Sequence, residues 1–279
     1  MLTDLRPSPI AGQWYEGQPE RLAQAVDTYI ERARLPDLPG QVIAVIAPHA
    51  GHVYSGPVAG FAFAALKGLQ PELVAVVSPM HHNSLHPLIT TAHAAYATPL
   101  GKIMVDKEAV AALDQILQQN LGFGLSPVAR DAEHSLEIEL PFLQRVLSTP
   151  FTLLPVMVRR QSPEVSRQLG LALAQVLRGR SAVLVASTDL SHFYNQETAN
   201  RLDAAMLEQV AAFSPEGAFE IEARGQGEAC GLGAMTAVMW AARELGADSA
   251  KVLKHATSGD VTGDFHSVVG YGAGVFYKS

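Results

Sequence analysis

The sequence predicts a layered α/β/α fold on a mainly parallel, mixed central sheet. Two observations carry that expectation. Four runs of strand length, Gln41–Ala47 (QVIAVIA), 73–78 (LVAVVS), 151–158 (FTLLPVMV) and Ala182–Ser187 (AVLVAS), are almost continuously apolar, the pattern of strands covered on both faces. Between them lie stretches with helical spacing, and strand–helix alternation marks parallel strands joined by crossover helices.

In chain order, helices are expected near 19–34, 57–68, 106–119, 135–147, 163–178, 196–212 and 231–244. In the fourth, Ser135 or Asp131 is a candidate cap, and Leu136, Leu140, Leu143 and Leu147 share one buried face. Glu139 reads as an ordinary residue of that amphipathic helix. The run 235–242 is a buried helix face, too short to span a bilayer at ~20 residues. Near the C-terminus, 251–256 and 267–276 form an expected β-pair closing one edge of the sheet. His86 and His93 fall in a weak strand pattern and read as surface, while His255 and His266 read as structural residues of the C-terminal pair. No repeat, low-complexity stretch or linker interrupts the chain, so a single domain over 1–279 is expected.

Composition narrows the class. The chain has 279 residues, 48% hydrophobic and 17% charged, which excludes a disordered or fibrous protein. A net charge of −7 without a basic run argues against nucleic-acid binding. The N-terminal stretch MLTDLRPSPIAGQWYEG lacks the basic start and apolar core of a signal peptide. A cytoplasmic protein without membrane partners is the expectation. One cysteine, Cys230, stands against ten histidines, which excludes a disulfide framework and a CxxC metal knuckle.

Ligands in open α/β sheets gather at the carboxyl ends of the parallel strands. Three of the strong strands run directly into ionisable residues: Pro48-His49-Ala50-Gly51-His52, Pro79-Met80-His81-His82-Asn83 and Thr188-Asp189-Leu190-Ser191-His192. One such histidine after a strand is usually a hydrogen-bonding loop residue. Three segments in one layer point to a site where His49, His81, Asp189 and His192 converge, a set suited to a transition metal. His52 and His82 read as supporting or solvent-facing groups, and Met80 as core. Cys230 precedes the helix expected from 231, where the dipole and free N–H groups lower a thiol pKa and favour a thiolate nucleophile or ligand. A buried inert cysteine is the alternative. His134 falls at a loop-to-helix junction, three residues from Glu137.

The motifs PHAGHVYSG (48–56), SPMHHN (78–83), EHSLEIELPFL (133–143), STDLSHF (187–193) and ACGLG (229–233), in this order, make the chain resemble the Memo family, also found in microbes as the B component of the AmmeMemoRadiSam system. The resemblance covers roughly residues 5–276. That family is similar in fold to class III extradiol dioxygenases, non-heme iron enzymes that open catechol rings. The resemblance implies metal ligands at His49, His81 and Cys230, an acid/base histidine at His192, a further pocket histidine at His134, and Asp189 in the same pocket. The chain departs from the family pattern at His52, where tyrosine is usual, and at Ala234, where proline is frequent. The leading expectation is an oxidoreductase with Fe(II) as first metal and copper as second, acting on a phenol- or catechol-like small molecule. The alternatives are a module binding metal or phosphopeptides without turnover, with a peptide or protein partner, and a zinc hydrolase, since two His and one Cys form an accepted catalytic zinc set.

Overall fold

The structure is a computed structural model, and it describes residues 4–279. Residues 1–3, the first of the single domain expected over 1–279 and of the N-terminal stretch, lie outside the described residues.

The strands are β1 (Leu5–Arg6), β2 (Gln41–Ala47), β3 (Leu73–Pro79), β4 (Leu88–Thr91), β5 (Ala95–Thr98), β6 (Gly101–Met104), β7 (Ser126–Val128), β8 (Thr152–Val158), β9 (Ala182–Ser187), β10 (His192–Tyr194), β11 (Ser249–Thr257) and β12 (Val268–Lys278). A nine-stranded sheet runs β10-β12-β2-β9-β3-β8-β4-β7, with β11 paired to β12. Its centre is parallel, β2 to β9, β9 to β3 and β3 to β8. The flanks include antiparallel pairs, β12 with β2, β11 and β10, and β4 with β8. The sheet is therefore mixed, with helices on both faces. A small second sheet, β1-β5-β6, packs beside it.

Period-two alternation sends successive residues to opposite layers. Leu73, Ala75 and Val77 join one core, with the helices α3 (Lys107–Leu121), α5 (Pro163–Leu177), α6 (Gln196–Ala211), α7 (Pro215–Ala223) and α8 (Leu232–Glu244). Val74 and Val76 join the other, with α1 (Pro19–Arg32), α2 (His52–Ala64) and α4 (Leu140–Val146). Because both layers are apolar, the central strands carry no polar face, which is why they read as continuous runs.

The four strong strands and most helices fall close to their expected limits. Helix α2 begins at His52, five residues before the expected start, and accommodates Pro57 internally. The fourth expected helix starts as a 3₁₀ turn, Glu137–Glu139, without a side-chain cap. Neither candidate cap is available, since Ser135 donates to the Pro79 carbonyl at 2.7 Å and Asp131 is engaged by Arg6. His93 is buried, not on the surface, with Nε2 2.9 Å from the Ala129 carbonyl, whereas His86 is exposed. The C-terminal pair closes the β2 side of the sheet with β12 inside. His255 sits on β11, bonded to buried Asp203 at 2.8 Å, but His266 lies in the loop before β12. The run 235–242 is a buried face of α8. Among the described residues no helix is long and apolar enough to cross a membrane.

Candidate metal centre

The carboxyl ends of β2, β3 and β9 lie side by side, so the residues that follow them share one rim. Beyond β2, the His49 backbone N–H donates to Asp189 Oδ1 at 2.7 Å. The Asp189 N–H in turn donates to Cys230 Sγ at 3.3 Å, and that sulfur lies 3.1 Å from His49 Nε2. A closed ring of contacts thus ties three segments distant in sequence. Gly231 makes the approach of Cys230 possible, because a Cβ there would lie 2.5 Å from the Ser187 carbonyl oxygen.

The second half of the centre is organised by Glu133, which is 1% exposed. Its carboxylate accepts from the His81 backbone N–H at 2.6 Å and lies 2.9 Å from His81 Nδ1. It also accepts the backbone N–H groups of His134 and Ser135, both at 3.0 Å, and lies 3.3 Å from His134 Nδ1. Burial alone would raise this carboxyl. The His81 side chain and the Ser135 and His81 backbone N–H groups outweigh burial and hold it well below the usual carboxylate range. On the other side, Ser187 Oγ lies 2.9 Å from His49 Nδ1 and 2.7 Å from Glu139 Oε1. The Nδ1 atoms of His49, His81 and His134 all lie beside protein oxygens, which leaves Nε2 of each as the nitrogen available to a metal.

His49, His81 and His134 form a group whose ligand atoms all lie within 4.8 Å of one another. The His81 and His134 rings stack at 4.9 Å, and His49 meets each of them edge-on. Burial, then the neighbouring imidazoles, pushes His49 well below its ordinary value, and burial brings His134 down to about 4. At neutral pH these two rings are unprotonated, as a metal ligand must be. Cys230 touches this group through His49. Its thiol is raised well above the ordinary value by burial, reinforced by the Asp189 charge. Burial thus acts against the lowering expected from the start of α8. Burial also pushes Asp189 up to about 7, against the stabilising N–H groups of His49 and Ala50.

His192, on β10, is one-quarter exposed with Nδ1 3.6 Å from Glu228 Oε1, at the edge of the group rather than within it. His52 is not solvent-facing. Its Nε2 lies 3.0 Å from the Ile138 carbonyl, its ring packs on Phe142 and Tyr15, and burial lowers it to about 4. His82 is exposed, and Met80 is core. Glu139 is not an ordinary helix-surface carboxylate. It is 1% exposed, bonded to Ser187, and raised well above its ordinary value by burial. Glu133 and Ser187 were not singled out from the sequence. The available signals were an acid immediately before His134 and a hydroxyl ending an otherwise apolar strand.

The fold and site define an α/β protein with a histidine cluster at the carboxyl rim of its parallel strands. A model of the Memo family, described as "Memo-like protein", matches residues 6–275. The chain is 36% identical to a MEMO1 family protein of Nitrosopumilus maritimus, covering 96% of this chain and 98% of that one. It is 35% identical to one from Methanothermobacter thermautotrophicus, with the same coverage of 96% and 98%. A third, from Thermotoga neapolitana, is 32% identical, again over 96% and 98%. The chain belongs to the Memo family.

Proposed function

We propose that the cluster holds a transition metal through His49, His81 and Cys230, and that the protein is a metal-dependent oxidoreductase. Iron(II) is the first choice and copper the second, acting on a small phenol- or catechol-like molecule. The carrying observation is the convergence of three imidazoles within 4.8 Å, with the Cys230 sulfur 3.1 Å from His49 Nε2. The donor set fits a first-row metal of borderline softness. Charge selects the sulfur over His134 as third ligand. Three neutral imidazoles would leave a dication only the indirect charge of Glu133 behind His81 and His134, whereas a thiolate cancels part of that charge in direct contact. Cys230 loses its proton on loading, reversing the effect of burial.

Iron(II) held by these residues would supply Lewis acidity and redox chemistry toward dioxygen. The chain supplies the rest. His192, open to solvent on one side and oriented by Glu228, accepts the hydroxyl proton of the substrate. His134, neutral and held by Glu133, presents a hydrogen-bonding nitrogen to the substrate in the same space. Asp189 acts through its hydrogen bond from the His49 backbone, fixing where that imidazole points.

The test is dioxygen consumption by iron-loaded protein with catechol and 4-methylcatechol. Turnover is expected with iron and absent with zinc, and His192→Ala should lower it by about 10²–10⁴-fold. Undiminished turnover in that variant removes His192 from proton transfer. Hydrolytic turnover with zinc and none with iron would replace this reading by a zinc hydrolase.

A further inference from the structure

A cavity of about 520 Å³ flanks the cluster. Trp14 lines it and also packs on His134, ring centroids 4.1 Å apart and planes tilted by 38°. Val269, also in the lining, is the cross-strand partner of His192. Tyr54, Tyr271 and Phe193 add aromatic residues to the lining of this open cleft, which begins one residue beyond His49, at Ala50.

Phe193 is the unusual member. It is 75% exposed, yet its backbone lies at φ +66°, in the left-handed region that a bulky residue rarely occupies. A β-bulge between His192 and Tyr194 turns its ring out beside the His192 imidazole, at 5.7 Å and 69°. Folding supplies no reason for this arrangement, since an exposed phenyl on a strained backbone costs free energy in both respects. The cavity it bounds gives one.

We propose that this cavity recognises a planar aromatic ligand larger than a single ring and carrying no negative charge, with Phe193 as its specificity-determining wall. The volume falls within the range that encloses a drug-sized molecule, and a lone phenol would fill little of it. Aromatic walls favour a flat π-surface through offset or edge-to-face contacts. The charge follows from the lining, which contains no Lys or Arg and includes the carboxylate of Asp264. One Asp264 oxygen accepts the His266 N–H at 2.9 Å, which fixes the group at the cavity edge. A phosphorylated or carboxylated ligand would meet that charge unpaired, whereas a hydroxyl or ammonium would find an acceptor. Calling the ligand a substrate rests on the metal-centre reading above, but its binding does not.

The test uses metal-free, full-length protein carrying Trp240→Phe, which leaves Trp14 as the one tryptophan of the two in the chain. The probes are 2-naphthol, 2-naphthylmethylammonium, 2-naphthyl phosphate and the saturated decahydro-2-naphthol. Saturable quenching of Trp14 is expected from the first two, with much weaker binding of the phosphate and of the saturated alcohol. Phe193→Gly should weaken 2-naphthol binding by about tenfold, in line with the value of an aromatic contact. The same variant should melt no lower than its parent, because glycine adopts this φ without strain. Absence of quenching by 2-naphthol, a preference for the phosphate, equal binding of the saturated alcohol, or an unchanged affinity in Phe193→Gly would overturn the proposal. Metal content, measured on separately loaded protein, distinguishes the two readings: a protein that binds naphthol but takes up no metal refutes the oxidoreductase and leaves the aromatic site standing.

Discussion

At the residue scale, the centre depends on carboxylates and hydroxyls that aim the imidazoles as much as on the imidazoles themselves. Glu133 is the principal one, since a single buried carboxylate reaches both His81 and His134 and three backbone N–H groups. Such partners fix the ring tautomer and orientation, and their loss typically costs 10–100-fold in metal affinity. Glu133→Gln is therefore expected to weaken cobalt(II) or iron(II) binding by about 10–100-fold, measured by competition with a chelator of known affinity. Affinity equal to the parent would mean that the two histidines are held by packing alone. The histidines themselves were legible in the sequence because they directly follow apolar strands. Glu133, Ser187 and Glu139 were not, because an acid at a helix start has an ordinary explanation in the dipole. Their inward orientation depends on β9 lying beside β2 and on the loop crossing β3, neither of which local pattern encodes. The Cys230 thiol shows the same limit, since its helix-end position was readable and its contact with His49 was not.

At the scale of elements, the strong strands were legible because burial on both faces leaves no polar position to break the run. Short strands such as β4, β7 and β10 lacked that signal, and their pairing is set by distant partners. Helix boundaries were readable where a capping side chain is present, as at Ser162 of α5 and Asn195 of α6. Asp106 is another such cap. Its Oδ1 accepts the Ala109 N–H at 2.8 Å, and its other oxygen binds Arg180 at 2.6 Å. Burial raises this carboxyl, but the Ala109 N–H and Arg180 outweigh it, so its folded-state value lies below the ordinary 3.8. A depressed value stabilises the fold above the unfolded-state pKa and loses that contribution as pH falls through the folded one. Asp106→Ala should accordingly cost about 0.5–2 kcal/mol at pH 7. In urea melts, the gap between parent and variant should narrow below about pH 4. A gap that is constant down to pH 2 would show that the ionised cap contributes nothing.

At the scale of the whole molecule, the small β1-β5-β6 sheet is joined by a buried cation to the loop that carries Glu133 and His134. Arg6 lies 2.6 Å from Asp131 and 2.5 Å from Glu137, with all three side chains at most 4% exposed, and it donates to the Glu133 carbonyl at 2.7 Å. Ser8 and Tyr15 donate to the same Glu137, so the N-terminal segment clamps the turn that follows His134. This anchor was invisible in the sequence, where Arg6 and its partners are separated by 125 and 131 residues. Arg6→Ala leaves two buried carboxylates without their cation, and a loss of about 3–5 kcal/mol in unfolding free energy is expected. A loss below 1 kcal/mol would mean that Asp131 and Glu137 take up protons or water at little cost. The layered architecture, by contrast, was readable from the alternation of apolar strands and helices, since that pattern is a property of the whole chain.

The central claim is that the strand-end cluster binds metal through His49, His81 and Cys230, with His134 beside it. Elemental analysis of protein purified without added metal tests it directly, with Cys230→Ala and His134→Ala run alongside. The account predicts close to one transition-metal ion per chain in the parent and in His134→Ala, and little in Cys230→Ala. Full metal content in Cys230→Ala together with loss in His134→Ala would contradict it and assign the site to three histidines.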